Sequence, residues 1–400
     1  MDEGLYYGRR RIVRKKILFI ISNLQTGGVS KSMTSLVNVV DRKRYDVSLM
    51  IVSPNGPFME LLPTDLRLIT NPVWTALTGH MAGLWYLLKS RHLLLALGHC
   101  FRLLVGLFSK AAAGEMIAAM MPGIDEEFDT IVDFNGQQQC YYMVNKLKAR
   151  KKITFFHSDY KKWPFYYSSD KKYFPLVDSI WTISETCVDS LKVYFPALSE
   201  KIRLMENITS LDLIEKMSLQ FVPDDIRMDI PTIVTVGHVC EGKGSHWAIE
   251  SAAILKRKGL NFRWYFIGSN PDKEYYNRLC KQFDVADRIV FSGIKINPYP
   301  YMRAATIVVH PSQYEGKSIA LDETKLLCKP VVVTNFSTVK DQFSDRCNAS
   351  ICEMNPESIA HAVEELISDE KLRSRYASAL LEQRRDNVSE VDKLYAVFDD

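Results

Sequence analysis

The chain has 400 residues, enough for two or three domains with sizeable cores. Its eight cysteines form no C-x-x-C pair; that spacing yields no metal site and argues against a disulfide framework. The net charge of +4 hides an asymmetry: residues 1–206 carry 27 Lys and Arg against 19 Asp and Glu, and residues 207–400 carry 24 against 28. A basic half beside an acidic half points to an anionic partner for the first.

Residues 1–16 hold Arg9, Arg10, Arg11, Arg14, Lys15 and Lys16 and read as a basic arm, either solvated or in contact with anionic lipid. The apolar run at 17–21 is too short for a signal-peptide core and reads as part of a buried strand, 16–22, so the expected location is the cytoplasm. Gly27 and Gly28 follow, in a turn where backbone can approach a ligand closely, and then an apolar helix to residue 40. Residues 47–52 are the next strand. Residues 74–121 read as helical, with no acid between Asp65 and Glu115. Lys89, Arg91, Arg102 and Lys110 interrupt their apolar runs, so none reaches the roughly 18–20 residues of a membrane span. Basic, aromatic (Trp74, Trp85, Tyr86) and amphipathic describes helices lying on a membrane surface; ordinary packing on the sheet is the plainer alternative. Residues 130–134 and 152–156 are strands, and the second places His157 at a strand's C-terminal end, the ligand edge of a parallel sheet. Strands at 179–183 and 202–205 complete the first half.

Residues 219–231, with two prolines and a charge cluster, read as the interdomain linker. PTIVTVGHVCEGKG then runs a strand into a loop holding Gly237, His238, Gly242, Lys243 and Gly244. A strand at 262–267 ends in Gly268, a helix covers 274–283 and a strand 288–292. TIVVHPSQYEGKSIALDETKLLCKPVVVT, residues 306–334, is strand, loop, helix, strand: a βαβ unit. The loop after its first strand is where such sheets bind ligands. Glu315 precedes the helix, and Glu323 follows about two turns later. The N–H groups of Gly316, Lys317 and Ser318 fall at the helix N-terminus and suit a diphosphate. Each Glu or Lys alone reads as a solvated surface residue. Together they offer an anion cradle, a cation and two hydroxyl acceptors, which are the groups a nucleotide sugar requires. Residues 356–385 are helical and 389–398 form a last short helix. Two such halves make an α/β protein of two Rossmann-like domains facing across a cleft.

E-G-x(6)-E after a strand ending in P-S, with G-x(5)-K-G upstream, resembles the retaining GT-B glycosyltransferases, family 4 especially. The resemblance implies an acceptor domain at 1–207, a nucleotide-sugar domain at 208–388 and a helix at 389–400 crossing back to the first domain. It implies that Glu315 contacts the transferred sugar, Glu323 the ribose and Lys243 the donor diphosphate. His157 would lie near the sugar and acceptor, and Gly27 and Gly28 near the donor phosphates. Gly237, His238, Gly268, Gly316, Lys317 and Ser318 complete the donor site; Glu315, His157 and Lys243 form the catalytic set. The family usually has Arg where His238 stands, so either His238 is a weaker, pH-sensitive donor or another basic residue serves. Asn207 stands in a segment similar to the family's P-N-G, without its Pro and Gly. The implied activity is metal-independent, retaining transfer of a sugar from a nucleotide diphosphate sugar, UDP-sugar favoured, to a lipid-linked or saccharide acceptor. Polysaccharide or glycolipid synthesis, as in capsule or lipopolysaccharide, on the inner face of the membrane is the implied setting. No cofactor and no nucleic-acid partner is expected. A nucleotide-sugar epimerase on the same fold and a non-catalytic sugar-binding protein are the alternatives.

Overall fold

The computed structural model describes residues 14–25, 27–227 and 229–400. Arg9, Arg10 and Arg11 of the basic arm lie outside them.

Seven strands form the first sheet: β1 (Lys15–Ile21), β2 (Tyr45–Ile51), β3 (Arg67–Ile69), β4 (Glu127–Asp133), β5 (Lys148–Phe156), β6 (Ser179–Thr182) and β7 (Ile202–Leu204). Their order is β3-β2-β1-β4-β5-β6-β7. Six form the second: β8 (Thr232–Val236), β9 (Arg263–Ile267), β10 (Ile289–Gly293), β11 (Ile307–His310), β12 (Val331–Thr334) and β13 (Ser350–Cys352). Their order is β10-β9-β8-β11-β12-β13. Every pairing between these strands is parallel. Successive strand side chains point to opposite faces, and both faces of each sheet are covered. In β1, Leu18 and Ile20 join one core layer while Ile17, Phe19 and Ile21 join another. In β8, Ile233 and Val234 divide the same way. That burial explains the unbroken apolar runs in the sequence. The edge strand β3 escapes a pattern reading because it is three residues long and Arg67 and Leu68 are exposed.

Each sheet has one place where its strand order turns back: between β1 and β4 in the first, and between β8 and β11 in the second. Loops leaving the two central strands diverge there and open a crevice.

The helices α1 (Gly28–Val39), α2 (Pro72–Thr78), α3 (Met81–Lys89), α4 (Leu93–Phe108), α5 (Lys110–Met120) and α6 (Gln138–Lys146) belong to the first domain. Two of the residues expected on a membrane surface are inside the protein. Trp74 is buried and donates to the Pro122 carbonyl at 2.9 Å. Arg102 is buried and donates to the Gly79 carbonyl at 2.9 Å, satisfying backbone that would otherwise be orphaned. Lys15 and Lys16 are likewise held, Lys15 by the Phe398 carbonyl at 2.8 Å and Lys16 by Glu126 at 2.9 Å.

The stretch 219–231 is not the crossing between domains. The helix Leu211–Ser218 before it already packs on the second domain, with Ile214 in that core and the Met217 carbonyl bonded to Asn297. Prolines and charges mark a loop, and this loop lies within one domain. The chain crosses instead around 205–210 and returns around 384–390. Asn387 stitches the two crossings, accepting from the Thr209 N–H at 2.8 Å and donating to the Asn207 carbonyl at 2.8 Å. The helix Val391–Asp399 then seats on the first domain, where Phe398 meets Phe19 edge-on at 6.3 Å and Tyr395 stacks on Tyr45 at 5.3 Å.

Candidate active site

The crevice of the second sheet faces the loop between β1 and α1, and the two domains close a cleft there. Gly27, Gly28 and Lys31 line it from the first domain. Gly237, His238, Lys243, Gly268, Glu315, Lys317, Ser318 and Glu323 line it from the second. Glycine at 268 is a packing necessity: with φ 155°, a Cβ there would stand 1.9 Å from the Gly237 carbonyl oxygen. The close approach lets the loops after β8 and β9 form one wall.

Glu315 lies at the centre. Its Oε1 accepts from Lys243 Nζ at 2.6 Å, His310 Nε2 at 2.7 Å and Ser312 Oγ at 2.8 Å. Burial alone raises the pKa of this carboxyl. The Lys243 charge and the His310 bond overcome that and hold it well below the usual carboxylate range. Glu315 is therefore an anion with three donors on one oxygen, and Lys243 is paired with it rather than directed to solvent.

Glu323 is also buried. Its Oε1 accepts from Lys31 Nζ at 2.5 Å and from Tyr299 Oη at 2.8 Å. Its Oε2 is buried with no partner among the described residues. A buried carboxylate oxygen without a donor is uncommon and costly, and a ligand hydroxyl would complete it. Lys31 comes from α1 of the other domain and also stands 4.6 Å from the centre of the Tyr299 ring. One ion pair thus spans the cleft.

The anion cradle sits further along the chain than the sequence suggests. The helix is Ile319–Leu326 with Ser318 as its N-cap, and the Ser318 N–H already donates to Gln342 Oε1 at 3.0 Å. Gln342 returns a bond to the Ser318 carbonyl at 2.8 Å, fixing the cap. Ile319 and Ala320, the first helical residues, line the cleft. Lys317 lines it too, but its ammonium pairs with Glu206 at 2.6 Å, at the domain crossing. Gly316 is absent from the lining. It is an interdomain contact: a Cβ there would meet the His157 carbonyl oxygen at 2.7 Å, and its own carbonyl accepts from Ser184 Oγ at 3.2 Å.

His238 lines the cleft with Nδ1 bonded to Ser269 Oγ, and a Cβ on Gly27 would stand 3.6 Å from its Nε2. His157 does not line the cleft. Its ring packs on Phe134 at 4.5 Å and Phe155 at 5.5 Å, and burial pushes its pKa down to about 4, leaving it neutral.

Four side chains that sequence reading passed over complete the site: Lys31, Tyr299, His310 and Ser312. His310 carried a legible signal, a histidine at the C-terminal end of a parallel strand, as at His157. Lys31 and Tyr299 carried none, because each acts on a carboxylate far along the chain.

Residues 219–381 match the family described as Glycosyl transferases group 1. Alpha-D-kanosaminyltransferase of Streptomyces kanamyceticus is 29% identical over 153 residues, 37% of this chain and 39% of that one. N-acetylgalactosamine-N,N'-diacetylbacillosaminyl-diphospho-undecaprenol 4-alpha-N-acetylgalactosaminyltransferase of Campylobacter jejuni is 25% identical over 205 residues, 51% and 54% of the two chains. Other relatives are named for lipopolysaccharide core and capsular polysaccharide biosynthesis. The chain spans about half the length of the curated relatives it matches, or less. Anabaena HepE, solved with UDP and glucose, superposes with a TM-score of 0.68 over 96% of this chain and all of its own, at 15% identity. That likeness is one of fold, and the fold is GT-B.

Proposed function

We propose, on the premise that the chain belongs through residues 219–381 to the glycosyl transferases group 1 family, that it moves a sugar from a nucleotide diphosphate sugar to an acceptor hydroxyl with retention and without a metal. One observation carries the reading: two buried carboxylates share a cleft, one with an unfilled acceptor oxygen and the other paired to a lysine that a diphosphate can take over. Glu323 Oε2 receives a ribose hydroxyl. Lys243, His238 and the start of the helix Ile319–Leu326 hold the diphosphate. Once Lys243 turns to phosphate, Glu315 keeps His310 and Ser312 and offers its freed capacity to the sugar hydroxyls.

The bond from the sugar's anomeric carbon to the diphosphate breaks, and negative charge gathers on the departing oxygen. Lys243 balances that charge, the task a divalent cation performs elsewhere. The acceptor oxygen attacks the face the diphosphate leaves, which preserves configuration, and its proton passes to the departing phosphate oxygen. UDP is the favoured nucleotide; HepE's complex with UDP supports that choice.

The acceptor is lipid-linked. Along α4 the side chains of Leu93, Leu94, Leu97, Phe101, Leu104 and Phe108 recur at helical spacing and are exposed, Leu94 to 85% and Phe108 to 91%. Trp85 on α3 is 70% exposed. Lys89, the last residue of α3, and Arg91, in the turn before α4, stand exposed. An apolar stripe with a cationic rim suits an anionic lipid surface. Among the described residues no helix is long and apolar enough to cross a membrane. The diphospho-undecaprenol in the Campylobacter relative's name supports a lipid-borne acceptor.

Incubation with a panel of UDP- and GDP-sugars and extracted lipid acceptor tests the proposal. Transfer from one UDP-sugar in the presence of a chelator is the expected result. Calorimetry showing no binding of UDP or GDP would refute it.

A further inference from the structure

The crevice of the first sheet is a second site, and its chemistry differs from that of the cleft. It is a groove of about 730 Å³ over the ends of β1 and β2, bounded by α2, α3 and the start of α6. Among the described residues that line it none is charged. Its floor is fixed: Gln139 Nε2, in the first turn of α6, donates to Ser22 Oγ in the loop after β1 at 2.6 Å, across the sheet's turning point. Gly136 and Gln137 both take left-handed φ, 72° and 54°, just before the glutamines that reach the groove. Such a conformation is unfavourable for Gln137 and is kept where the surroundings require it.

Around this floor, the side-chain polar groups of Gln25, Thr70, Tyr86 and Gln138 line the groove, and none of them forms a hydrogen bond to the described protein. An amide both donates and accepts, as a sugar hydroxyl does, so these groups complement a polyol without a net charge. The Tyr86 ring supplies an apolar face for the C–H side of a sugar. A phosphate or carboxylate here would lose water and find no counter-charge. Behind the wall, Arg102 is turned to the carbonyl of Gly79, which lines the groove.

We infer that this crevice binds an uncharged saccharide, the acceptor's terminal unit, and rejects phosphorylated or carboxylated sugars. The inference rests on the transferase reading and names its acceptor class. The crevice and the donor cleft share one loop, with Gln25 lining the first and Gly27 the second. Tyr86 lines the groove from α3, the helix that carries exposed Trp85, so a lipid-borne sugar can enter from the membrane side. The lipid's own phosphates stay outside, near Lys89 and Arg91.

Saturation-transfer NMR on the full chain, with and without UDP, tests this. The probes are methyl N-acetylglucosaminide, methyl glucoside and methyl galactoside against methyl glucuronide and mannose 6-phosphate. At least one neutral glycoside will bind and the two anions will not. Gln138→Ala and Tyr86→Ala will each weaken that binding about tenfold while UDP affinity by calorimetry stays unchanged, and Gln138→Lys will admit methyl glucuronide. Three results would overturn the inference: an anion bound as well as a neutral glycoside, neutral binding indifferent to both alanine variants, or no glycoside bound by a protein that binds UDP. If UDP fails to bind, the transferase reading falls, and the glycoside arm still decides the crevice.

Discussion

The two crevices have the same origin and opposite contents. Each lies where a parallel sheet reverses its strand order, between β1 and β4 in one domain and between β8 and β11 in the other. The second is lined by His238, Lys243, His310, Glu315, Lys317 and Glu323, and the first by amides, hydroxyls and a tyrosine. The charged crevice is the smaller in volume, about 170 Å³ against about 730 Å³, with Lys31 bonded across it to Glu323 and Lys243 to Glu315. The fold supplies the place and the loops supply the chemistry. In the proposed reading, the donor crevice holds its cations on resident carboxylates until the diphosphate arrives, and a crevice for a neutral polyol needs no such placeholder.

Glu315→Gln should break that contrast most visibly. Turnover will fall about a hundredfold or more, the usual result of deleting an electrostatic contact to the reacting group. UDP affinity will hold or rise, because Lys243 no longer has a carboxylate to leave. Steady-state kinetics beside calorimetry reads both. A parallel fall in UDP affinity would place Glu315 in the nucleotide site and end the placeholder idea.

Next in size are Glu323→Ala and Lys243→Ala, each expected to weaken UDP binding by about 1.5–3 kcal/mol through loss of a charged hydrogen bond. Lys31→Ala will cost less, since Tyr299 still holds Glu323. Unchanged UDP affinity in both Glu323→Ala and Lys243→Ala would remove the nucleotide from this crevice altogether.

The proposed membrane face should give a smaller, salt-dependent effect. Replacing Lys89 and Arg91 by Gln will weaken co-sedimentation with anionic vesicles by about 1 kcal/mol each at low salt. Leu94→Ser with Leu97→Ser will weaken it at any salt, and UDP affinity will not change in either variant. A protein that ignores vesicles of every composition would show that the α4 stripe meets something other than lipid.

How much of this was legible in the sequence depended on the range of the interaction. Strands such as β1, β8 and β11 were readable because burial on both faces leaves unbroken apolar runs. The E-G-x(6)-E segment was readable because its groups are local. The long-range ion pairs of its carboxylates were not: Lys31 lies 292 positions before Glu323 and Lys243 lies 72 before Glu315. Composition marked 74–121 as basic and aromatic but could not assign faces, so Trp74 and Arg102 were grouped with exposed Trp85 although both are buried. Proline and charge found the loop at 219–231 but not that the helix before it had already joined the second core. The Ser318 N–H was assigned to a ligand because nothing local reveals that Gln342 caps it.

The smallest expected effect contrasts the crevices through pH. The folded pKa of Glu315 lies below its ordinary value of 4.5. A depressed carboxyl pKa means the folded state favours the ionised form, so its stabilisation is complete above about pH 4.5 and is lost as pH falls through the folded value. Gln does not titrate. The melting temperature of the unmodified protein minus that of Glu315→Gln will therefore be constant from pH 7 to about pH 5 and shrink below it. Gln138→Ala in the uncharged crevice will show a difference that does not vary with pH, because no carboxylate, imidazole or cation is among the described residues lining that groove. A Glu315→Gln difference as flat as that of Gln138→Ala would mean that Lys243 and His310 only cancel the effect of burial and leave the folded carboxyl at its ordinary value.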